Sequence, residues 1–376
     1  MKSICIVQIE NVHAEVVIPQ LEALEDYYDL SLYIPRCFYG LEELEKYRLK
    51  SKYFSPFSEN PKKYLARSES SSFLRMAHYI LALLRLLFLC MSGKFDLLVF
   101  NTIPTIFKGR LICFLFAKVK KIQIVHNLAK TNTFLVSRFD KTLVLSKEVR
   151  DYAEKEYSYR CDTSELYFFD KFFQKIQCDD EVKKNDSRKT KIKIGVIGKT
   201  DYLRRNYRDL IDSLQKNENY REYFTVYIIG ETDPRSIRDF KQFGDELVIF
   251  HEGFLSFEKL LCLVNEMDLI AYLIDPEVPD FNLYNKVKIS GTSNLCLYFN
   301  KPVLIQENYP IEEKLAKRAV FYKKSVGEFF DAILDRRIDK ADFGKNCLSE
   351  SEWKNQYAHD TGHYLSLIED AIGNDK

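Results

Sequence analysis

Short runs of aliphatic and β-branched residues alternate with stretches of helical spacing along most of the chain. This alternation restricts the fold more than any other feature. A strand, a helix and a further strand in that order build a parallel sheet, because the crossover returns the chain to the edge where it began. In the first half, strands are expected at 3–9 (SICIVQI), Leu30–Ile34, Asp96–Asn101, Ile122–His126, Lys141–Ser146 and Leu166–Phe169. Helices are expected at Ala14–Tyr27, where Val17, Ile18, Leu21 and Leu24 share a face, and at 73–92, Ile106–Val119 and Lys147–Tyr157. Residues 41–72 read as polar and irregular. A second series has strands at Ile192–Ile197, Thr225–Ile229, Leu247–Phe250, Leu269–Ile274 and Val303–Ile305. Its helices lie near 207–217, 256–265 and 292–299.

Between the two series, residues 175–191 (KIQCDDEVKKNDSRKTK) are charged and carry only two aliphatic residues, Ile176 and Val182. At roughly 100–200 residues per domain, 376 residues call for two domains. The expected division is 1–175, a linker at 176–190, a second domain at 191–345 and a helical segment at 346–376. That last segment contains the only tryptophan, Trp353, and is expected to pack back on the first domain. The fold class is α/β, with two doubly wound parallel sheets.

Glycine is scarce and unevenly placed. Residues 1–175 hold three (Gly40, Gly93, Gly109), and the other ten of the 13 lie beyond residue 190. A chain that spends so few glycines puts them where φ is positive or where backbone comes close to something. In the second half they mark successive strand ends: Gly195 and Gly198 (GVIG), Gly230 (IGE), Gly253 (HEGF) and Gly291 (ISGTS). Ligands of open α/β sheets bind at the carboxyl ends of the strands, so the second half is the expected ligand-binding half.

Charge and cysteine narrow the class. Lys+Arg 56 against Asp+Glu 55 gives a net charge of +1, without the basic excess of a nucleic-acid binder. None of the nine cysteines forms a C-x-x-C pair, and most lie in apolar runs, as expected of reduced thiols in a cytoplasmic protein. No zinc-ligand spacing is present. The apolar start ends at Gln8, too early for a secretory signal, and reads as a strand.

Two groups in the second half suit an anion. Ser290-Gly291-Thr292-Ser293 opens a helix and offers backbone N–H groups, although the same residues also make an ordinary helix cap. Arg204 and Arg205 follow the first strand of this half closely and suit a diphosphate; the alternative is a solvated face. Tyr284, Lys286 and Lys288 precede the serine-rich loop. Neither a dinucleotide fingerprint nor a P-loop occurs.

These residues carry a resemblance. IGVIGKTDYLRRNYRDLI (194–211), followed in order by Gly230, FHEGF (250–254), MDLIAYLI (267–274), YNKVKISGTSN (284–294) and YFNKPVLI (298–305), resembles the donor-binding domain of GT-B glycosyltransferases. The similarity is to those of bacterial surface-polysaccharide synthesis, the group 1 or family 4-like type. It implies two Rossmann-like domains facing a cleft and transfer of a hexose from a nucleotide-diphosphate sugar to a glycan acceptor, polyprenyl-linked in that setting. By the resemblance, Arg204, Arg205 and the loop Ser290, Gly291, Thr292 and Ser293 hold the donor diphosphate, and Gly198, Tyr284, Lys286 and Lys288 count among the donor-binding residues. Gly230, Gly253 and Phe254 lie near the nucleotide. One departure stands out. Retaining members carry a pair of glutamates eight positions apart, and those positions fall at Val287 and Leu295. Retention or inversion therefore stays open. So do a nucleotide-sugar epimerase of the same fold and a non-catalytic binding subunit.

The first half is then the acceptor side. His13 and Glu15 follow the first strand, and His126 ends IQIVH, all at carboxyl ends where a general base belongs. His13 and His126 also suit a plain helix start and a core histidine. No D-x-D motif is convincing, and Arg, Lys and helix N–H groups serve a leaving diphosphate, so neither metal nor cofactor is expected. The stretch 73–92 is apolar but interrupted by Arg75, His78 and Arg85, too broken for a spanning helix. It fits either a buried core helix or an interfacial helix holding a cytoplasmic protein to the inner face of the cell membrane.

Overall fold

The computed structural model describes residues 1–9, 14–35, 44, 47, 49–55, 72–103, 105–166, 191–230, 234–251, 255–284, 286–338, 340–345 and 347–373. The chain divides into two compact units. Unit 1 comprises Met1–Gln174, Lys286–Ile289 and Asn355–Lys376, and unit 2 comprises Lys175–Asn285 and Ser290–Lys354. The expected linker at 176–190 lies outside the described residues.

Unit 1 runs β1 (Ser3–Val7), α1 (Ala14–Leu24), β2 (Asp29–Pro35), β3 (Ser51–Ser55), α2 (Ser72–Met91), β4 (Leu97–Phe100), α3 (Ile106–Leu115), β5 (Lys121–Val125), α4 (Thr133–Arg138), β6 (Lys141–Val144), α5 (Lys147–Tyr157) and β7 (Asp162–Thr163). Its seven strands pair in parallel in the order β3-β2-β1-β4-β5-β6-β7. Unit 2 runs β8 (Ile192–Ile197), α6 (Tyr207–Gln215), β9 (Phe224–Ile229), α7 (Pro234–Lys241), β10 (Val248–His251), α8 (Phe257–Glu266), β11 (Leu269–Ala271), α9 (Gly291–Tyr298), β12 (Val303–Gln306), β13 (Ala319–Tyr322) and α10 (Gly327–Leu334). Its six strands are also parallel, in the order β10-β9-β8-β11-β12-β13. A last helix, α11 (Glu350–Ile372), ends in unit 1, where Lys2 donates to the Gly373 carbonyl at 3.1 Å and Lys120 donates to the Ile372 carbonyl.

In both sheets the strand order reverses beside the first strand, at β1/β4 and at β8/β11. The amino ends of these pairs, and of β5/β6, are closed by one device. A parallel strand leaves its first N–H without a ladder partner. Asp96 accepts from the Ser3 N–H at 2.6 Å and returns its own N–H to the Ser3 carbonyl at 2.8 Å. Asp140 does the same with Lys121 (2.7 and 2.9 Å), and Asp268 with Lys193 (2.9 and 2.9 Å). Each aspartate follows a buried or half-buried large apolar residue, Phe95, Phe139 or Met267, which fixes it at the edge of the core.

Several elements differ from expectation. β3 lies in the stretch read as irregular, because an edge strand needs only part of its side chains inside. Its Tyr53 packs edge-on against Phe95 at 6.0 Å. The last strand of unit 1 is Asp162–Thr163; of the run expected to form it, only Leu166 is described, buried and outside any strand. β11 stops at Ala271, because Leu273 adopts a left-handed φ of 51° and turns the chain out of the sheet. The helix expected to reach Val119 ends at Leu115. β13, α7 and α10 had no clear signal beside the strands and helices around them.

The Asp268 carboxylate is mostly covered, with a side-chain exposure of 17%, and also pairs with Lys340 at 2.9 Å. Asp268→Ala is expected to cost about 1.5–3 kcal/mol of folding stability, the range for a hydrogen bond to a charged group. Urea unfolding of the full chain measures it.

Candidate functional site

The expected ligand-binding residues converge in unit 2, at the carboxyl ends of β8 and β9 and the amino ends of α6 and α9. The two strands leave the sheet side by side. The Gly198 N–H donates to the Ile229 carbonyl at 2.8 Å. Gly198 has a φ of 113° and Gly230 one of 140°. A Cβ built on Gly230 would stand 2.6 Å from the Gly198 carbonyl oxygen, so no side chain fits. A Cβ on Gly198 would stand 3.0 Å from the Arg205 guanidinium.

Arg204 and Arg205, adjacent in sequence, have separate environments. Arg204 is exposed, with Nε 3.5 Å from Asp201. Arg205 is only 7% exposed and folds under the glycine turn. Its Nη2 donates to the Ile197 carbonyl and, at 3.3 Å, to the Thr292 hydroxyl. Its Nε has no hydrogen-bond partner, and among the described residues no carboxylate pairs with it. A guanidinium withdrawn from water without a counter-charge is costly unless something supplies the charge.

Next along the chain, Asn206 caps α6 by accepting from the Asp209 N–H at 3.0 Å. Its Nδ2 donates to Asp275 at 2.7 Å and Glu277 at 3.3 Å, and its N–H donates to the carbonyl of left-handed Leu273 at 2.7 Å. The strained turn after β11 is thereby tied to the loop carrying Arg205. Burial pushes the Asp275 carboxyl up from its ordinary range, against the lowering effect of the Asn206 and Glu277 N–H groups.

The serine-rich loop is a helix start whose hydroxyls are already committed. Ser290 caps α9 by accepting from the Thr292 N–H at 3.3 Å. Thr292 reaches the Ile197 carbonyl at 3.4 Å. Ser293 donates to Glu312 at 2.8 Å and accepts from the Tyr272 hydroxyl at 3.2 Å. Gly291 is exposed, and a Cβ there would meet nothing within 4 Å. The loop therefore presents backbone, not hydroxyls, to an incoming group.

The other expected residues scatter. Tyr284 is buried against Tyr309, 6.2 Å between ring centroids. Lys286 and Lys288 fall in the segment assigned to unit 1, where Lys288 forms an isolated antiparallel bridge with Asn127. His126 is half-buried after β5, beside Asn127, whose side chain accepts from the Ala129 N–H at 2.9 Å. His13, Gly253, Phe254 and the Glu15 side chain lie outside the described residues. The apolar surroundings of Cys5, Cys90 and Cys296 push their thiols up.

No protein-family model matches the chain, and no curated protein matches it in sequence. Solved structures match it over nearly its whole length. Anabaena HepE in complex with UDP is 11% identical, with 98% of this chain and 99% of that chain covered and a TM-score of 0.61. The E. coli trehalose-6-phosphate structure bound with UDP-2-fluoro glucose is 9% identical, with 99% of each chain covered and a TM-score of 0.62. UDP-GlcNAc 2-epimerase from Neisseria meningitidis bound to UDP-GlcNAc is 11% identical, with 98% and 99% covered and a TM-score of 0.61. The fold is GT-B.

Within this GT-B chain, three residues of the site went unnoticed in the sequence. Asn206 was readable as a helix cap before Tyr-Arg-Asp. Glu312 and Leu273 gave no signal, since one arrives from the loop after β12 and the other is an apolar residue in a glycine-like conformation.

Gly230 and Gly291 differ in their tolerance of a side chain. Gly230→Ala is expected to lower unit 2 stability by about 1–3 kcal/mol for the strained φ alone, with the backbone contact adding to it. Gly291→Ala is expected to stay within about 0.5 kcal/mol of the parent. Thermal unfolding of both variants checks the contrast. His251, at the end of β10, stacks on Tyr227, and burial first, then Lys259, lower its pKa below 6.5. The unfolded chain thus takes up this proton more readily. His251 accordingly contributes stability above about pH 6.5 that is lost as pH falls through its folded pKa. His251→Phe is expected to flatten that part of the stability–pH curve.

Proposed function

We propose that the protein is a nucleotide-sugar-dependent glycosyltransferase in which unit 2 holds the donor diphosphate and unit 1 receives the acceptor. The observation that carries this reading is Arg205, a buried cation at two positive-φ glycines with no counter-charge of its own among the described residues. A diphosphate set against Gly198, Gly230 and the start of α9 supplies that charge. Its oxygens meet the guanidinium and backbone N–H groups, and the missing Cβ atoms let it approach.

The chemistry follows from that placement. An acceptor hydroxyl attacks the anomeric carbon, a new C–O bond forms, and the bond from that carbon to the diphosphate breaks. The electron pair goes to the diphosphate, whose developing charge Arg205 and the helix N–H groups stabilise. The acceptor proton passes to one of His13, Glu15 and His126, which follow β1 and β5 in the chain. No metal or cofactor is part of this reading. We take the acceptor to be a lipid-linked glycan of surface-polysaccharide assembly and the protein to work on the cytoplasmic side of the membrane. The apolar helices of unit 1 support this. A GT-B epimerase is the second reading, favoured by the equal likeness to the Neisseria enzyme. Labelled nucleotide sugars separate the two, since transfer needs an acceptor and epimerisation yields a new nucleotide sugar without one.

Arg205→Met is expected to weaken UDP binding about 10- to 100-fold while leaving the thermal midpoint of the free protein unchanged or raised, because a buried lone charge is removed. Arg204→Ala is expected to stay within about twofold in UDP affinity. Calorimetric titration with UDP and thermal unfolding measure both. A lower midpoint for Arg205→Met with unchanged UDP affinity would make the residue structural and sink the assignment.

A further inference from the structure

α2 is apolar on both sides. Tyr79, Ala82, Leu83 and Leu86 face the core of unit 1. Ile80, Leu81, Leu84, Phe88 and Met91 form a stripe on the other side, with Phe88 73% and Met91 79% exposed. α3, packed beside it, exposes Phe107 and Phe114, two helical turns apart on one face, at 62% and 80%. α4 adds Phe134 at 41%. Single exposed apolar residues are ordinary, but a stripe of this kind running over neighbouring helices marks a contact surface.

Charge says what the contact is. Between Glu69 and Asp140 the sequence holds ten lysines and arginines and one acidic residue, Asp96, although the whole chain is balanced at 56 to 55. Asp96 is tied to the Ser3 N–H at the start of β1. The Lys108 ammonium sits 4.3 Å from the centre of the buried Tyr79 ring, joining α3 to α2. Two further basic residues lie against an exposed ring. Arg110 and Arg138 flank the Phe134 ring at 5.6 and 5.5 Å, joining α3 to α4. Arg85 stands at the rim of the α2 stripe, and Lys118 follows α3. No described helix is long and apolar enough to cross a membrane. Exposed aromatic and aliphatic side chains interleaved with cations, on helices that carry no acidic residue of their own, match an anionic lipid surface. The rings enter the acyl boundary and the cations stay with the phosphates.

We propose that unit 1 docks on an anionic bilayer through α2, α3 and α4, with Phe88, Met91, Phe107 and Phe114 inserted and Arg85, Arg110, Lys118 and Arg138 on the headgroups. This docking is independent of the reaction proposed above, because it needs neither donor nor turnover. The test is co-sedimentation of the full chain with vesicles of phosphatidylcholine alone and of phosphatidylcholine with about one-third phosphatidylglycerol. The expected result is binding to the anionic vesicles that weakens with salt, and little binding to the neutral ones. Phe88→Ser with Phe107→Ser and Phe114→Ser should lower the partition coefficient at least about tenfold. Arg110→Glu with Lys118→Glu should lower it at least about fivefold for each charge. Both variants should keep the parent thermal midpoint and UDP affinity, since these side chains are exposed. Absence of binding to anionic vesicles overturns the proposal, and so does equal binding of the parent and the serine variant. Self-association of the parent through this face, lost in the serine variant while vesicles stay unbound, also overturns it and makes a second copy the occupant.

Discussion

Gly198 and Gly230 bring the backbones of two neighbouring strands so close that a single Cβ would collide with a carbonyl 2.6 Å away. Much of unit 2 is arranged around that approach. The close passage leaves a space behind the first turn, and the Arg205 guanidinium fills it, bonded to the Ile197 carbonyl and shared with Thr292 at the start of α9. One arginine therefore links the ends of β8 and α9, elements 95 residues apart between Ile197 and Thr292. Asn206 extends the link to the turn after β11 through Leu273 and Asp275. The strain of a left-handed leucine, about 1–3 kcal/mol, persists because these bonds hold the turn.

The two edges of the unit 2 sheet differ in what is left unpaired. At the amino edge, Asp96, Asp140 and Asp268 close the ladder, each exchanging two hydrogen bonds with the first residue of a neighbouring strand or the one after it. Negative charge is stationed there and satisfied. At the carboxyl edge of unit 2 the buried carboxylates Asp275 and Glu312 are likewise engaged, by Asn206 and Ser293. The buried cation Arg205 stands beside them, and the surrounding backbone contributes N–H groups from a helix start. A parallel sheet points all its carboxyl ends one way, so such an asymmetry is available to any protein of this class. In this chain the cation has no carboxylate partner among the described residues.

The strands that form the middle of each sheet were legible because they are buried on both faces, and SICIVQI and IKIGVI read as continuous apolar runs. SKYFS was not, because an edge strand can be half polar. The end of β11 was misjudged because AYLI has a strand composition, and only tertiary bonds force Leu273 out of the sheet. In the site, glycine positions were readable from scarcity alone. The difference between Arg204 and Arg205 was not, since neighbouring side chains diverge only once the turn is built. Glu312 approaches Ser293 from another loop, a contact that no spacing rule reaches.

Net charge is the property where sequence arithmetic conceals most. A balance of 56 to 55 rules out a uniformly basic surface, and it argues against nucleic acid as a partner. It does not describe any one face. The lone acidic residue between Glu69 and Asp140 is engaged at a strand start, so the helices that expose phenylalanine carry basic residues of their own and no acidic ones. Acidic residues elsewhere restore the total without screening that face, since screening at physiological salt acts over about 8 Å. A neutral chain can thus carry both a lone buried cation for one anion and a cationic apolar surface for many, each set by local placement and neither visible in the sum.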